Sequence, residues 1–261
     1  MITIYDANAY IRRSLNRQQF AGEVAMDPRL IYNRANAAQV PEIWVWDGAN
    51  NNERRRAIFP GYKIRDYTGQ ESIFAGLQLY REVLGHSNAL QIEVPSWEAD
   101  DVCYTLTHYY VSKGQRVTIH TNDFDFHQLS ALPGVKVNGA SGPADVVAPH
   151  HISVYKALVG DKSDKIPGMD GFGPKTWLAF RGLYDSLETA MLNRDATALR
   201  QHPWKKSHAA WLMDDANVNQ LFDWHQITKM LEVPMAEIEQ HMRPGVYNPH
   251  AAEQLFMKFM L

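Results

Sequence analysis

Nine carboxylates set the chemistry open to this sequence: Asp6, Asp47, Glu98, Asp100, Asp101, Asp123, Asp125, Asp161 and Asp164. They fall into short clusters, each where a strand-like run ends or a helix-like run begins. Carboxylates brought together repel one another and titrate as a coupled set unless a cation neutralises them. An oxygen-only donor set suits Mg²⁺ or Mn²⁺ rather than zinc. Two such ions acting on a phosphate ester is the chemistry to which this set points.

Such residues need elements that gather them. Residues 2–5 (ITIY), 43–46 (IWVW) and 117–121 (VTIHT) read as short buried strands leading into Asp6, Asp47 and Asp123. Helical patterns occupy 73–84 and 98–112. This alternation predicts an α/β fold, a mostly parallel sheet flanked by helices, with the ligand beyond the carboxyl ends of the strands. Pro133, Gly134, Gly139, Gly142, Pro143 and Pro149 read as turns around a short strand at 135–137. From 150 onward the composition turns helical, with short helices at 151–159 and 174–180 and a mostly helical stretch over 184–261. Two domains are therefore expected: an α/β core over 1–149, with a basic region at about 48–72, and a helical region over 150–261.

A chain of 261 residues holds one large α/β domain with a helical addition. No run approaches the roughly 18 apolar residues of a membrane span, and MITIYDANAYIRR lacks the pattern of a signal peptide. The single cysteine, Cys103, excludes an intrachain disulfide framework and reads as a buried structural thiol, which fits a reducing compartment. A net charge of −3 is unusual for a protein that meets nucleic acid. With the clustered acids set aside the remainder is positive, so a phosphate backbone is permitted as a partner.

Each cluster has a plainer reading. Asp100 and Asp101 fall in a first helical turn, where the helix dipole favours acids whatever the function. Asp123 and Asp125 share one face of an extended segment and can reach one metal, or can simply form a polar turn. A phosphatase with an aspartyl nucleophile also carries D-x-D after a strand, but wants a small hydroxyl residue where His127 stands. The most specific segment is GDKSDKIPGMDGFGPKT, 160–176. Gly168, Gly171 and Gly173 permit close backbone approach, and a helix opening at Pro174 with Lys175 beside it makes a phosphate cradle. Arg54, Arg55, Arg56, Lys63 and Arg65, interleaved with Phe59 and Tyr62, read as phosphate and base contacts or as a solvated loop. His150-His151 reads as a loop pair, His120 and His127 lie near the Asp123 cluster, and all read as surface or supporting histidines, because none has zinc spacing with a cysteine.

These motifs together resemble the 5′-nuclease superfamily: flap endonucleases, phage 5′→3′ exonucleases and the 5′-nuclease domain of DNA polymerase I. YDAN (5–8), VWDGANNNERRRAIFPGYKIRD (45–66), WEADD (97–101), TNDFDFHQL (121–129) and the 160–176 segment stand in family order over about residues 2–180. The resemblance implies a PIN-like nuclease core and a helix–hairpin–helix at about 151–180. It also implies two Mg²⁺ ions, replaceable by Mn²⁺, with a K⁺ at the hairpin. Asp6, Asp47, Glu98 and Asp100 would hold the first ion. Asp123, Asp125 and Asp161 would complete the second, with Asp100 reaching both and Asp101 and Asp164 in outer roles. Lys63 and Arg65 match residues that contact the scissile phosphate. Arg54, Arg55, Arg56, Tyr62, Gly168, Gly171, Gly173, Lys175 and Thr176 would contact DNA. The implied activity is a free-standing, monomeric, structure-selective 5′→3′ exonuclease or flap endonuclease acting on branched or 5′-ended duplex DNA or an RNA–DNA hybrid. A polymerase or single-strand-binding protein is a candidate partner.

Two departures stand out. The family's Y-K-G-N-R is shortened to Tyr62-Lys63-Ile64-Arg65, and the short span before Trp97 implies a short or open arch. Trp97 also replaces the small residue that precedes E-A-D-D, where it can stack on a base or pack. Two rivals remain: an acid-pocket ribonuclease of the PIN or RNase H-like type, and a non-catalytic branched-DNA binding module.

Overall fold

The computed structural model describes residues 1–21, 26–140, 142 and 147–259; Pro143, read above as a turn residue, lies outside them. In chain order the elements are β1 (Ile2–Asp6), α1 (Ala7–Ala21), α2 (Pro28–Ala37), β2 (Ile43–Trp46), α3 (Glu53–Ile58), α4 (Glu71–Gly85), β3 (Leu90–Glu93), α5 (Ala99–Ser112), β4 (Val117–His120) and β5 (Val135–Asn138). They continue with α6 (Ile152–Val159), α7 (Pro174–Leu178), α8 (Tyr184–Leu192), α9 (Ala196–Arg200), α10 (Lys206–Trp211), α11 (Asp215–Ile227), α12 (Met235–Gln240), β6 (Met242–Pro244) and α13 (Pro249–Phe259). Two compact units form: residues 1–51, 66–141 and 231–261 in the first, 52–65 and 142–230 in the second.

The first unit is built on a six-stranded sheet of order β5-β4-β1-β2-β3-β6. β1 to β5 run parallel, and β6 pairs antiparallel with β3. Every residue of β2 is buried, as expected for a parallel strand covered on both faces. β1 lies between β2 and β4, so the chain winds outward on one side through β2 and β3 and then returns to the other side through α5. A reversal of winding at a central strand opens a crevice at the carboxyl edge, and Asp6 ends that strand. On one face Tyr5, Ile11, Ile31, Trp44, Trp46, Ile73 and Tyr80 make a continuous apolar core. Amphipathic α4 supplies it with Ile73, Leu77, Tyr80 and Leu84.

The sequence-based domain boundary differs from these units at both ends. Residues 231–261, expected within the helical region, return to the sheet. β6 adds an edge strand with Ile92 opposite Met242, and α13 buries Ala252, Leu255 and Phe256 against Tyr32 and Val83. Three residues containing an edge proline carry no periodic strand signal, which is why β6 is silent in the sequence. Conversely, 52–65 belongs with the helical unit. Arg55, read as a phosphate contact, is 3% exposed, and its guanidinium donates to the carbonyls of Ile227 and Lys229 at 2.9 Å each. It is a clamp between α3 and the end of α11.

In the second unit α6 and α7 flank the glycine segment. Asp161 and Ile166 exchange two backbone hydrogen bonds of 2.8 Å and close the loop. Gly160 and Gly168 lie back to back across this closure. A Cβ on Gly168 would stand 2.5 Å from the Gly160 nitrogen, and both adopt positive φ, +91° and +77°. These two glycines are required by packing. Helix α7 stops at Leu178, two residues short of the expected end.

Candidate functional site

Asp6 closes β1 and is 6% exposed. Its Oδ1 accepts from the Ala9 amide at 3.2 Å and its Oδ2 from Thr121 Oγ1 at 2.9 Å. Thr121, one residue beyond β4, also accepts from the Asp123 amide at 3.1 Å, so one hydroxyl ties β1 to the aspartates after β4. Asp123 Oδ1 then caps the following 3₁₀ turn by accepting from the Asp125 amide at 2.9 Å. Asp47, the residue after β2, accepts from Asn8 Nδ2 at 2.7 Å through Oδ2 and from the Ala99 amide at 3.0 Å through Oδ1. The second bond fixes the start of α5 against the end of β2. Gly48 allows this: a Cβ there would meet the Val94 carbonyl oxygen at 1.9 Å.

Helix α5 brings the third cluster. Glu98 is its buried N-cap residue, and ligand atoms of Glu98, Asp100 and Asp101 lie within 4.8 Å of one another. Asp101 is 1% exposed and accepts from the Leu231 amide at 2.7 Å, while Asp100 Oδ1 accepts from the Asp101 amide at 2.7 Å. Asp101 thus anchors the returning C-terminal segment. Cys103 is buried on the inner face of α5, as its sequence context indicates. Burial, and then the charges of Asp6, Asp100, Asp47 and Asp101, push its thiol well up, away from nucleophilic use.

The electrostatics define what this edge can hold. Burial, followed by the negative charge of Asp47 and less strongly that of Asp123, pushes the Asp6 carboxyl up to about 8, against the hydrogen bonds from Ala9 and Thr121. Among the described residues no lysine, arginine or histidine forms an ion pair with Asp6, Asp47 or Asp123. An all-oxygen set of close carboxylates without a basic partner fits hard divalent cations.

The second unit holds Asp161 and Asp164 in a different state. Lys156, 6% exposed and unremarked in the sequence, places Nζ 2.5 Å from Asp161 and 3.2 Å from Asp164. Burial alone would raise the Asp161 carboxyl. The Lys156 ammonium and hydrogen bonds from Ser163 outweigh it and leave the group below its usual range. Lys63, held at φ +46°, donates its amide to the Asp164 carbonyl at 3.2 Å and sets Nζ 3.7 Å from the Asp164 carboxylate. A lysine pair thus neutralises these two acids.

The DNA-contact candidates divide by exposure. Arg54, Arg56, Arg65, Gly171 and Lys175 face solvent, with Arg56 bracing the turn by donating to the Tyr62 and Lys63 carbonyls at 3.0 Å each, and Gly173 is half-buried. Arg55, Tyr62, Gly168 and Thr176 are buried, so contact with a ligand is withdrawn from their side chains or, for Gly168, its α-carbon. Trp97 packs: it is 6% exposed and donates Nε1 to Glu237 at 2.9 Å. Sequence reasoning gave no role to Asn8, Thr121 or Lys156. The first two sit inside the YDAN and TNDFDFHQL motifs, which was the available signal. Lys156 reads only as one residue of an apolar helix.

Comparison with known proteins places these features. A family model described as 5′-3′ exonuclease, N-terminal resolvase-like domain, matches residues 22–151. The chain is 30% identical over 149 residues to a 5′-3′ exonuclease of Aquifex aeolicus, covering 54% of this chain and 52% of that protein. It is 32% identical over 215 residues to DNA polymerase I of Deinococcus radiodurans, covering 79% of this chain and 22% of that protein. The chain therefore spans about half the length of the first relative and about a fifth of the second. Among solved structures, the T5 5′-exonuclease with bound zinc superposes with a TM-score of 0.60 at 15% identity, over 99% of this chain and 98% of that one. The catalytic core of Rad2 with DNA substrate gives 0.55 at 16% identity, over 99% and 86%. At such identities the likeness is one of fold.

Proposed function

Because the chain belongs to the 5′-nuclease superfamily, we propose that it is a structure-selective, metal-dependent 5′-nuclease that hydrolyses phosphodiesters near single/double-strand junctions, with Mg²⁺ as its metal and Mn²⁺ as a substitute. The observation that carries this reading is the carboxylate edge of the sheet, where Asp6, Asp47 and Asp123 come together without a basic partner. A non-catalytic branched-DNA binding module has no use for unneutralised acids at a crevice that a polyanion must approach.

In this reading Asp6, Asp47, Glu98 and Asp100 would hold one ion, and Asp123 and Asp125, with Asp100, would hold a second. Ions held by these carboxylates would supply water activation and charge stabilisation at the leaving 3′ oxygen. Thr121 and Asn8 keep the carboxylates of Asp6 and Asp47 turned as the ions require. Asp101, tied to the Leu231 amide, positions the first turn of α5. Asp161 and Asp164 keep the metal-binding role that the resemblance implies, and Asp161→Asn tests it through metal stoichiometry. Lys63 contributes positive charge to the reacting phosphate, with Arg65 beside it in sequence. Arg54, Arg56, Arg65 and Lys175 are the exposed cations that contact the backbone. The α6–glycine loop–α7 segment grips the duplex as a helix–hairpin–helix with K⁺, independently of sequence. Substrates of this class are flapped, nicked or 5′-ended duplexes, with RNA–DNA hybrid as a further candidate, acted on by a monomer.

The test is product mapping on a 5′-flap labelled at each end, with free and blocked 5′ termini, beside a matched RNA flap. Mg²⁺-dependent cuts at the DNA junction support the reading. The short basic segment, with α3 only six residues long, predicts that a blocked terminus is still cut. Cleavage of the RNA flap alone would favour an acid-pocket ribonuclease.

A further inference from the structure

The second unit gathers another set of metal-ligating atoms, unlike the first in chemistry. His150 and His151 end a 3₁₀ turn, Pro149–His151, that runs into α6. Successive residues of such a turn project about 120° apart, so adjacent side chains ordinarily diverge. Here the two rings lie 3.9 Å apart between centroids, because both reach toward Asp185. His151 Nε2 is 2.8 Å and His150 Nε2 3.7 Å from Asp185 Oδ1. Glu188, three residues along the same face of α8, brings Oε2 to 3.9 Å from His151 Nε2. One ligand atom from each of His150, His151 and Asp185 fits within a span of 4.8 Å. His151 is 5% exposed, and Nε2 is the ring nitrogen that faces the Asp185 and Glu188 carboxylates.

We propose that His150, His151 and Asp185, with Glu188 as the fourth donor, form a binding site for a transition-metal ion of the Zn²⁺, Co²⁺ or Ni²⁺ class. Metal–nitrogen and metal–oxygen bonds of about 2.0–2.2 Å in a tetrahedron place donor atoms about 3.3–3.5 Å apart. The observed separations of 2.8, 3.7 and 3.9 Å straddle that value. A lone imidazole–carboxylate pair tying α6 to α8 would explain His151 and Asp185. It leaves unexplained why His150 and Glu188 converge on the same two atoms. Two imidazoles select borderline metals over Mg²⁺, so this site and the oxygen-only edge of the sheet take different ions. Occupied, it clamps the start of α6 to α8. Tyr184 of α8 stacks on Trp177 of α7 at 4.1 Å, so the clamp reaches both helices that flank the glycine loop.

The experiment uses the full chain carrying Asp6→Asn and Asp123→Asn, which removes a carboxylate from each ion's proposed ligand set at the oxygen-only edge. Zn²⁺ is titrated calorimetrically, and the ligand-field spectrum of added Co²⁺ is recorded. One equivalent of bound ion with a nitrogen-ligated Co²⁺ spectrum is expected. In the same background His150→Ala and Asp185→Asn, both at exposed side chains and each checked for folding by thermal unfolding, should weaken binding by at least about tenfold, the lower end of what even an outer partner of a ligand contributes. Zn²⁺ affinity unchanged by both substitutions, or no Zn²⁺ binding in the parent background, would overturn the site.

Discussion

Thr121→Val tests whether the carboxylate edge is organised for metal. The substitution keeps the side chain's shape and removes one hydroxyl, which donates to Asp6 Oδ2 at 2.9 Å and accepts from the Asp123 amide at 3.1 Å in a fully buried position. A hydrogen bond to a charged group contributes about 1.5–3 kcal/mol, which at about 1.4 kcal/mol per decade is roughly 10- to 150-fold in affinity. Partners that orient metal ligands contribute about 10–100-fold in affinity or activity, so the two estimates agree. Leaving the Asp123 amide unpaired should also cost about 1–3 kcal/mol of stability. The assay is the Mg²⁺ dependence of single-turnover cleavage of a 5′-flap, with thermal unfolding as a control for folding. Half-saturation should shift upward by about 10–100-fold, and Thr121→Ser, which retains the hydroxyl, should restore it. A folded Thr121→Val protein with the wild-type Mg²⁺ requirement would refute the reasoning that Thr121 orients Asp6.

Arg55→Ala should destabilise the chain by about 2–4 kcal/mol in urea denaturation, because one buried and one half-buried carbonyl lose a charged donor. Unchanged stability with weakened DNA binding would restore Arg55 as a phosphate contact. Lys63→Ala should slow single-turnover flap cleavage by at least about tenfold, and an unchanged rate would remove Lys63 from the chemistry. The His225 imidazole, held down to about 4 by burial and then by the Lys229 ammonium, has its folded pKa below its unfolded one. The unfolded chain therefore binds more protons, and stability present above about pH 6.5 is lost as pH falls toward 4, by about 3 kcal/mol in full. His225→Phe should flatten this part of the pH–stability curve between pH 7 and 5, whereas parallel curves would exclude His225 as its source.

The positions of the metal-ligand candidates were legible because each sits at an element boundary that hydrophobic runs announce. Asp6 follows ITIY, Asp47 follows IWVW, and Asp123 follows the strand that ends at His120. The α/β class, the parallel sheet and α4 and α5 follow from the same runs. What the residues could not announce were contacts made only in three dimensions. Lys156 neutralises Asp161 and Asp164 from within an apolar helix, and periodicity reports that helix as core. Arg55 looks like its neighbours Arg54 and Arg56 in sequence, yet one helical turn sends the first inward and leaves the other two outside. β3 and β6 are short and mixed in composition, and their pairing closes only when residues 231–261 return to the sheet. His150-His151 has no zinc spacing along the chain because its remaining donors arrive from α8.

The central claim is that the clustered carboxylates serve metal-dependent hydrolysis. Asp123→Asn tests it most directly, since it removes one negative charge at an exposed position and keeps the side chain's size. Cleavage of an end-labelled 5′-flap and binding of the same flap, each measured across a Mg²⁺ titration, should separate. The account predicts loss of Mg²⁺-dependent cleavage with flap binding largely retained. Full cleavage by the variant at wild-type Mg²⁺ would contradict it.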